Sequence, residues 1–316
     1  MNTFKLPPLL TIAIPTYNRA QLLTQCLNAL LSQCDDDIRD NVEFLISDNC
    51  SSDNTAEVVN GFLAGDISIA YHRNSENLGA DRNIANCFIK AAGKYVWVFS
   101  DDDFLLQGYL KFIVQALYQE EWGTIYLNNF WYTDNYPAQT LLPNCVNLRK
   151  INNPLDYISE VSYWTTFITG NIINRSLFID VEYIKEFYQS NLVQLSWTLP
   201  AVFKGKPNGI ITDQVLACRA DNTGGYKLLK VFGKNFNNVM MQLIAAGLID
   251  KRAKRIINRN LLSNFFPMFL NKPTDKFESE NTFKVMIPVF WSYRSFWVKI
   301  FPVLFRNRYF RNVSVQ

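Results

Sequence analysis

The chain is poor in the residues on which zinc centres and nucleophilic triads depend. Among its 316 residues there is one histidine, His72, and its six cysteines are scattered without a C-x-x-C pair. Structural zinc sites use closely spaced Cys and His ligands, and a Ser-His-Asp triad needs a histidine base. Both kinds of site are nearly excluded, so a metal ion here would have to be held by oxygen ligands. The cysteines are more simply interpreted as small buried apolar residues.

Long apolar runs are also missing. No stretch reaches the ~18 uninterrupted apolar residues that a membrane-spanning helix needs, although 48% of all residues are apolar. Residues 1–10 lack a basic segment followed by an apolar stretch, so we predict no secretory signal and expect a cytoplasmic protein. The apolar content is sufficient for a large buried core.

Acidic residues are absent from residues 281–316, which carry six Lys or Arg residues. The whole chain has a net charge of +3, so subtracting these six cations leaves −3 for residues 1–280. Aromatic residues are interleaved with the cations. Pro288 and Pro302 interrupt the segment, so it is not expected to form one straight helix.

Short amphipathic segments that combine aromatic rings with cations are typical of an interfacial membrane anchor. We therefore predict that residues 281–316 associate peripherally with the inner face of the cell membrane. The alternative is that the aromatic rings pack on the rest of the protein and the cations are merely solvated. Nucleic acid is not an expected partner, because the rest of the chain is acidic and contains no known nucleic-acid-binding module.

Strand and helix patterns alternate over the first 130 residues. The predicted strands are short apolar runs at Leu9–Ile14, Val42–Ile46, Ile67–Tyr71, Tyr95–Phe99 and Thr124–Asn128. This rhythm predicts an α/β fold with a mainly parallel, Rossmann-like sheet flanked by helices. The rhythm ends after Pro137, and the pattern is mainly helical from Lys227 onward. We predict a catalytic domain at 1–226, with a nucleotide-binding half at 1–130 and an acceptor half at 131–226, and a helical region at 227–316.

Polar residues follow three of the predicted strands: Thr16-Tyr17-Asn18, Asp48, and the triplet Asp101-Asp102-Asp103. Ligands of parallel sheets bind at the carboxyl ends of the strands, so these residues are predicted to share one crevice. Adjacent carboxylates raise one another's pKa unless a cation compensates. Carboxylate oxygens favour Mg²⁺ or Mn²⁺. The alternative is a solvated acidic turn at the start of a helix.

Four ordered motifs in this region resemble those of family 2 glycosyltransferases, which have a GT-A fold. They are Thr11-Ile12-Ala13-Ile14-Pro15-Thr16-Tyr17-Asn18-Arg19, Ile46-Ser47-Asp48-Asn49-Cys50-Ser51-Ser52-Asp53-Asn54-Thr55, Asn77-Leu78-Gly79 with Arg82-Asn83, and Ser100-Asp101-Asp102-Asp103 followed by Gly108-Tyr109-Leu110. Within the family, the Ser-Asp-Asp-Asp form and Arg219-Ala220-Asp221-Asn222-Thr223-Gly224-Gly225 look most like abequosyltransferase-type enzymes of O-antigen assembly.

The resemblance implies a role for each matching residue. The nucleotide-sugar site would include Pro15, Thr16, Tyr17, Arg19, Asp48, Asn77, Gly79, Arg82, Asp101 and Asp102. Asp103 and Asp101 would hold Mg²⁺ or Mn²⁺ in the manner of a D-x-D motif. The alternatives are structural: Tyr17 as a packing residue, Asp48 as an Asx-turn, the Asn77 segment as a plain loop and Arg82 as a surface ion-pair partner.

The general base is the point at which the chain departs from the family. Inverting relatives use a carboxylate, often in a Glu-Asp pair, to deprotonate the acceptor hydroxyl, but the corresponding segment Asn191–Trp197 contains no acid. Asp180, Glu182 and Asp213 are the nearest carboxylates in the sequence, and Asp213 and Asp180 are the candidate bases. Asp180 and Glu182 could instead begin a solvated helix, and Asp213 could lie at a strand bend.

The function implied by the resemblance is transfer of a hexose-type sugar from a nucleotide-diphosphate donor to an acceptor hydroxyl, with inversion. The acceptor is expected to be a glycan, in particular a lipid-linked glycan of cell-surface polysaccharide synthesis. One alternative is a sugar-1-phosphate nucleotidyltransferase, although no Gly-rich, Lys- or Arg-bearing loop follows the first strand. Another is a glycan-binding or scaffold relative without activity. A dehydrogenase is disfavoured, because no G-x-G-x-x-G follows the first strand.

Overall fold

The computed structural model describes residues 7–65, 67–133, 146–177, 180–220, 227–270 and 282–310, with side chains in the last helix described only to Arg306. Its centre is one nine-stranded mixed sheet within these ranges. The strands are β1 (Leu10–Thr16), β2 (Val42–Asp48), β3 (Ile69–Arg73), β4 (Tyr95–Val98), β5 (Phe104–Leu105), β6 (Thr124–Tyr132), β7 (Leu148–Ile151), β8 (Asn171–Asn174) and β9 (Asn208–Arg219). All five strands predicted for residues 1–130 are confirmed, and the fifth continues further than expected, to Tyr132.

The strands are arranged in the order β3-β2-β1-β4-β8-β6-β9-β5, and β7 also pairs with β9. Strands β1 to β4 are mutually parallel, as the sequence predicts. The fourth and fifth predicted strands are not neighbours, however, because antiparallel β8 lies between β4 and β6. The amino end of β8 therefore lies at the same edge of the sheet as the carboxyl ends of β4 and β6.

Helices cover both faces of the sheet and form the C-terminal region. They are α1 (Ala20–Leu31), α2 (Thr55–Leu63), α3 (Ala80–Lys90), α4 (Tyr109–Gln119), α5 (Pro154–Val161), α6 (Val181–Lys185), α7 (Leu195–Lys204), α8 (Phe236–Ala245), α9 (Lys251–Asn260), α10 (Phe266–Leu270), α11 (Thr282–Phe290) and α12 (Phe301–Phe310). Short 3₁₀ turns occur at Arg39–Asn41, Ser162–Thr166 and Arg175–Leu177, and π-helical turns at Lys230–Asn235, Leu261–Phe265 and Phe296–Ile300.

Apolar residues at helical spacing explain how the helices bind the sheet. In α1 the residues Leu23, Cys26, Leu27 and Leu30 are all buried, because positions three and four apart lie on one face of a helix. In α2, Val59 is buried, whereas Leu63 is exposed at the last turn.

The C-terminal helices share a hydrophobic core with one face of the sheet. Met286, Phe290, Phe296 and Ile300 have no solvent-exposed surface and belong to the same cluster of buried residues as Val96 of β4. The aromatic tail is therefore in part a packing element, which is the alternative that its sequence left open. Among the helices in the described ranges, none has both the length and the apolar character to cross a membrane. A division of the chain at residue 226 stays a prediction.

Candidate active site

The register of the parallel strands aligns polar residues at one edge of the sheet. Thr16 at the end of β1 pairs with Asp48 at the end of β2, and Asp48 pairs in turn with Arg73 at the end of β3. The triplet Asp101–Asp103 follows β4, and β4 pairs with the side of β1 that faces away from β2. The polar strand ends that the sequence predicted to share a crevice are thus brought to one edge.

The acidic triplet accepts hydrogen bonds from three distant parts of the chain. Its three side chains are only 3–4% exposed. The Thr16 hydroxyl donates to Asp101 at 2.8 Å, and the Thr169 hydroxyl donates to Asp103 at 2.6 Å. The backbone N–H of Arg219 donates to the other oxygen of Asp103 at 3.2 Å. A solvated acidic turn is therefore not what the structure shows.

One cation lies between two of the carboxylates. Arg19 Nη1 is 2.9 Å from Asp101 Oδ1 and 2.9 Å from Asp102 Oδ2. Adjacent carboxylates need a compensating cation, and Arg19 supplies part of that compensation. Desolvation tends to lower the pKa of Arg19, but the two carboxylates outweigh it and raise the pKa.

Burial is the main cause of the raised pKa values of Asp101 and Asp103. Desolvation, with the charge of Asp102 nearby, raises the pKa of Asp101 to about 6, although Arg19 and Thr16 oppose the shift. Desolvation also raises the pKa of Asp103 to about 7, against the hydrogen bond from Thr169. Both groups therefore lie close to their protonation equilibrium at neutral pH, so a cationic ligand would favour their charged forms.

The donor set suits Mg²⁺ or Mn²⁺ in its chemistry but does not form a cage. Across the described ranges no three Asp, Glu, His or Cys side chains converge on a point that could hold a metal ion. Mg²⁺ is commonly held by one or two carboxylates together with phosphate oxygens of a substrate. The residues present fit that arrangement, and the assignment of Asp103 and Asp101 as metal ligands stays a prediction.

Asp48 lies in a polar pocket beside the triplet. It is fully buried, and its two oxygens accept hydrogen bonds from the Tyr71 hydroxyl at 2.8 Å and from the N–H of Ser51 at 2.8 Å. Arg73 Nε lies 3.4 Å from the same carboxylate. The bond to Ser51 is the turn contact that the structural alternative predicted. Tyr17, which is 43% exposed, lies one residue beyond β1 and is an accessible aromatic residue at this edge.

A network of amide side chains fixes the loops around this pocket. Asn83 Nδ2 donates to the carbonyl of Ser47 at 2.9 Å, and its Oδ1 accepts from the Ser47 hydroxyl at 2.8 Å. Asn49 donates to Asn77 Oδ1 at 2.7 Å, which also accepts from the N–H of Gly79. Gly79 has φ +83°, a left-handed conformation that side chains rarely adopt. Asn77 and Gly79 therefore shape the loop that begins α3.

Arg82 and its neighbour Asp81 face the second half of the chain. The guanidinium of Arg82 lies 5.4 Å from the centre of the Tyr188 ring. Buried Asp81 accepts a hydrogen bond from the N–H of Asn191 at 2.8 Å, and burial raises its pKa. These contacts anchor the start of the segment Asn191–Trp197, which contains no acid. The predicted role of Arg82 in closing the nucleotide pocket stays a prediction.

Neither candidate base is brought beside the triplet by the contacts that the structure shows. Asp180 is exposed and caps α6, accepting from the N–H of Tyr183 at 3.0 Å. Asp213 accepts from the N–H of Asn147 at 2.6 Å. It lies six residues before Arg219 on β9, which is about 20 Å along an extended strand. The geometry gives neither residue support, and the identity of the base stays a prediction.

Several residues of the site carried no signal in the sequence. Thr169 precedes β8 in a region that matches none of the motifs, and Tyr71 and Arg73 belong to a strand that was noted only for its apolar run. Arg19 was expected to bind the nucleotide sugar, yet in this structure it pairs with the triplet. The predicted similarity at residues 221–225 lies outside the described residues.

Comparison with known proteins places the chain among sugar-transferring enzymes. The sequence profile described as Glycosyl transferase family 2 matches residues 11–179, more than half of the chain. The chain is 31% identical to the abequosyltransferase RfbV of Salmonella typhimurium over 233 residues, which is 68% of this chain and 67% of that protein. It is 35% identical over 109 residues to the GalNAc(5)-diNAcBac-PP-undecaprenol beta-1,3-glucosyltransferase of Campylobacter jejuni, covering 34% of each protein.

Solved structures support the same architecture. Residues 1–349 of TarS from S. aureus, in complex with UDP-GlcNAc, align with a TM-score of 0.61 at 16% identity over 84% of this chain and 76% of that chain. The mannosyltransferase PcManGT from Pyrobaculum calidifontis, in complex with GDP-Man and Mn²⁺, aligns with a TM-score of 0.52 at 15% identity over 83% and 72% of the two chains. At such identities the likeness concerns the fold, and it confirms the predicted GT-A-like α/β architecture.

Proposed function

The chain belongs to glycosyl transferase family 2 and is a glycosyltransferase, and we propose that it moves a sugar from a nucleotide-diphosphate donor to a hydroxyl of a lipid-linked glycan. Inversion at the anomeric carbon and dependence on a divalent metal ion belong to this proposal. The observation that carries it is that the polar residues at the carboxyl ends of β1–β3 lie along the same edge of the sheet as the buried acidic triplet after β4.

The donor is proposed to lie along this edge with its base towards β2 and its diphosphate towards the triplet. The exposed ring of Tyr17 offers a stacking face for the base. Asp48 lies deeper and has its carboxylate oriented by Tyr71 and Ser51. A hydrogen bond from the nucleotide to this carboxylate would cost little conformational entropy, because the carboxylate is already fixed before binding.

The triplet is proposed to serve the leaving group. When bound, Mg²⁺ or Mn²⁺ would offset the charge that develops on the departing diphosphate, and Asp103 and Asp101 are the residues that would hold it. Thr169 and the N–H of Arg219 fix the orientation of Asp103. Arg19 keeps Asp101 and Asp102 partly neutralised, which permits three carboxylates to stay buried side by side.

The relatives support the acceptor class without establishing it for this chain. One relative is named for a substrate carried on undecaprenol diphosphate, and another is an abequosyltransferase. Four exposed cations lie in or beside the last two helices of the described chain: Lys284, Arg294, Lys299 and Arg306. Cations close to an anionic leaflet each contribute about 1 kcal/mol. We therefore propose that the protein works at the inner face of a membrane, where a lipid-linked glycan is available.

The proposal is tested first by ligand binding. Thermal unfolding is followed with UDP, GDP, CDP, ADP and dTDP, each with and without Mn²⁺, because a ligand that binds only the native state raises the melting temperature. We expect one nucleotide to stabilise the protein, and to do so more strongly with Mn²⁺. Sugar donors built on that nucleotide are then assayed for hydrolysis and for transfer to a lipid-linked glycan extract. Stabilisation by none of the nucleotides would contradict the proposal.

A further inference from the structure

Beyond the donor site, a group of aromatic rings lies at the same edge of the sheet. Trp131 near the end of β6 is 54% exposed. Its ring centre lies 6.4 Å from that of Trp164 and 6.2 Å from that of Phe167. Trp164 and Phe167 are themselves 6.3 Å apart, so the three rings form one cluster, which we call the aromatic platform.

The platform lies across the triplet from the nucleotide pocket. The order of strands β3-β2-β1-β4-β8-β6 puts the pocket on one side of β4 and β6 on the other. Phe167 is two residues from Thr169, whose hydroxyl donates to Asp103 at 2.6 Å, and two residues span at most about 7 Å. The backbone at Phe167 therefore passes close to the triplet, on the side of β4 that faces away from the nucleotide pocket.

Amide side chains hold the loop of the platform in place. Buried Asn171 donates from Nδ2 to the carbonyl of Trp164 at 3.1 Å and to that of Phe167 at 2.7 Å. Buried Gln194 donates from Nε2 to the carbonyl of Thr166 at 2.6 Å. These bonds fix the backbone on either side of both rings. An exposed aromatic surface with a fixed backbone is preorganised for binding and is not a loose surface patch.

We infer that the aromatic platform is the binding site for a pyranose ring of the acceptor glycan. The apolar C–H face of a pyranose packs on an aromatic face, whereas its hydroxyl groups remain free to hydrogen bond at the rim. A sugar is favoured over a lipid chain as the occupant, because the group that lies near the triplet must present the attacking hydroxyl. This inference rests on the proposed function, since it names the acceptor subsite of the same crevice.

The test is saturation-transfer NMR with three probes: the methyl glycosides of mannose, galactose and rhamnose. We expect saturation of ring protons of at least one glycoside by the wild-type protein. Trp131→Ala should weaken that binding about tenfold, the size expected for losing one stacked ring. Trp131→Phe should retain part of it. Tyr118→Ala is the matched control, because Tyr118 is an exposed aromatic residue of α4 at 77% exposure and should give the wild-type result.

Two further readouts separate this inference from the proposed function. Nucleotide-induced stabilisation should be the same in Trp131→Ala and in the wild type, since the platform lies outside the nucleotide pocket. If no nucleotide stabilises the wild type, the proposed function is contradicted, and glycoside binding still tests the platform on its own. Absence of saturation transfer to all three glycosides, or equal transfer in Trp131→Ala, would overturn the platform. A Trp131→Ala variant that loses binding to anionic vesicles while keeping glycoside binding would also overturn it, because the rings would then serve a membrane.

Discussion

The two sides of the crevice are held together by different kinds of contact. Around β1, β2 and β3, polar side chains bond to one another and to the backbone, as Asn83 does with Ser47 and Arg19 with the triplet. Beyond β8, and in the C-terminal helices, several large aromatic side chains are exposed, among them Trp131, Trp291 and Trp297. Hydrogen bonds require particular atoms at particular distances, whereas ring packing tolerates many residues. The polar side is therefore expected to be sensitive to single substitutions and the aromatic side more tolerant.

The strongest test of this contrast is Asp103→Asn on the polar side. We expect turnover of the nucleotide sugar to fall by about a hundredfold or more, because the variant loses charge at the leaving group. Stability at pH 8 should be unchanged or higher, since burial already raises the pKa of Asp103 to about 7 and disfavours its charged form. Turnover and thermal unfolding are both measured.

The control for this substitution is Asp156→Asn, the same change on an exposed first turn of α5. It should leave both turnover and stability at the wild-type level. Normal turnover of Asp103→Asn with unchanged Mn²⁺ dependence would show that the carboxylate has only a structural role.

A second test removes the internal cation of the triplet with Arg19→Gln. The folded pKa of Asp101 is raised to about 6, above that of a free carboxyl group. The stability that protonated Asp101 contributes is therefore fully present below about pH 4 and is lost as the pH rises through 6. Without Arg19 this loss should grow, so the variant should be destabilised by about 2 kcal/mol at pH 8, a value reduced for partial exposure of the guanidinium.

Urea unfolding at pH 5 and pH 8 measures this effect. The deficit of Arg19→Gln should be clearly smaller at pH 5, where Asp101 is protonated. Arg149→Gln is the matched control, because Arg149 pairs with Glu160 at the surface, and its effect should be much smaller at both pH values. A pH-independent deficit in Arg19→Gln would mean that packing, and not charge, explains the role of Arg19.

The contrast also explains what could be predicted from the sequence. The strands and their polar ends could be predicted from periodicity, and the GT-A-like fold from the resemblance of motifs with fixed spacing. Such motifs are informative because residues such as Asp48 and Asn83 must keep their atoms in place. The insertion of β8 was not predictable, since antiparallel pairing depends on contacts distant in sequence. Thr169 and Trp131 reach the crevice only through that insertion and through the length of β6.

A third test asks whether the buried carboxylate of the pocket binds nucleotide. Asp48→Ala should lower the affinity for the stabilising nucleotide about tenfold, since a hydrogen bond of about 1–3 kcal/mol is lost. Tyr71→Phe is the paired variant, because it removes one bond to Asp48 and leaves the carboxylate in place. Calorimetric titration should show a clearly smaller effect for Tyr71→Phe. Equal affinities in Asp48→Ala and in the wild type would restrict Asp48 to its turn contact with Ser51.

The smallest effect is expected for substitutions in the C-terminal helices, and the packing of these helices makes a simple truncation unsuitable as a test. Removing residues 281–316 would delete the fully buried rings of Phe290 and Phe296 and expose the core residues that pack on them, such as Phe266, so truncation would destabilise the protein and could not isolate a membrane role. Two accessible rings provide a better test, because Trp291 and Trp297 are 65% and 43% exposed and are joined by a hydrogen bond from Trp297 Nε1 to the Trp291 carbonyl.

The double variant Trp291→Ala/Trp297→Ala is predicted to bind anionic vesicles about fivefold more weakly, because aromatic rings favour the membrane interface. Lys299 and Arg294 remain in place, so the residual binding should depend on salt, as expected for cations near an anionic leaflet. Co-sedimentation with vesicles of phosphatidylcholine and phosphatidylserine at low and high salt measures both effects. Hydrolysis of the nucleotide sugar in the same samples should be unchanged, since the two rings are not part of the crevice. If vesicle binding is equally strong in the variant, the exposed rings have no interfacial role, and the aromatic side of the molecule serves packing alone in this region.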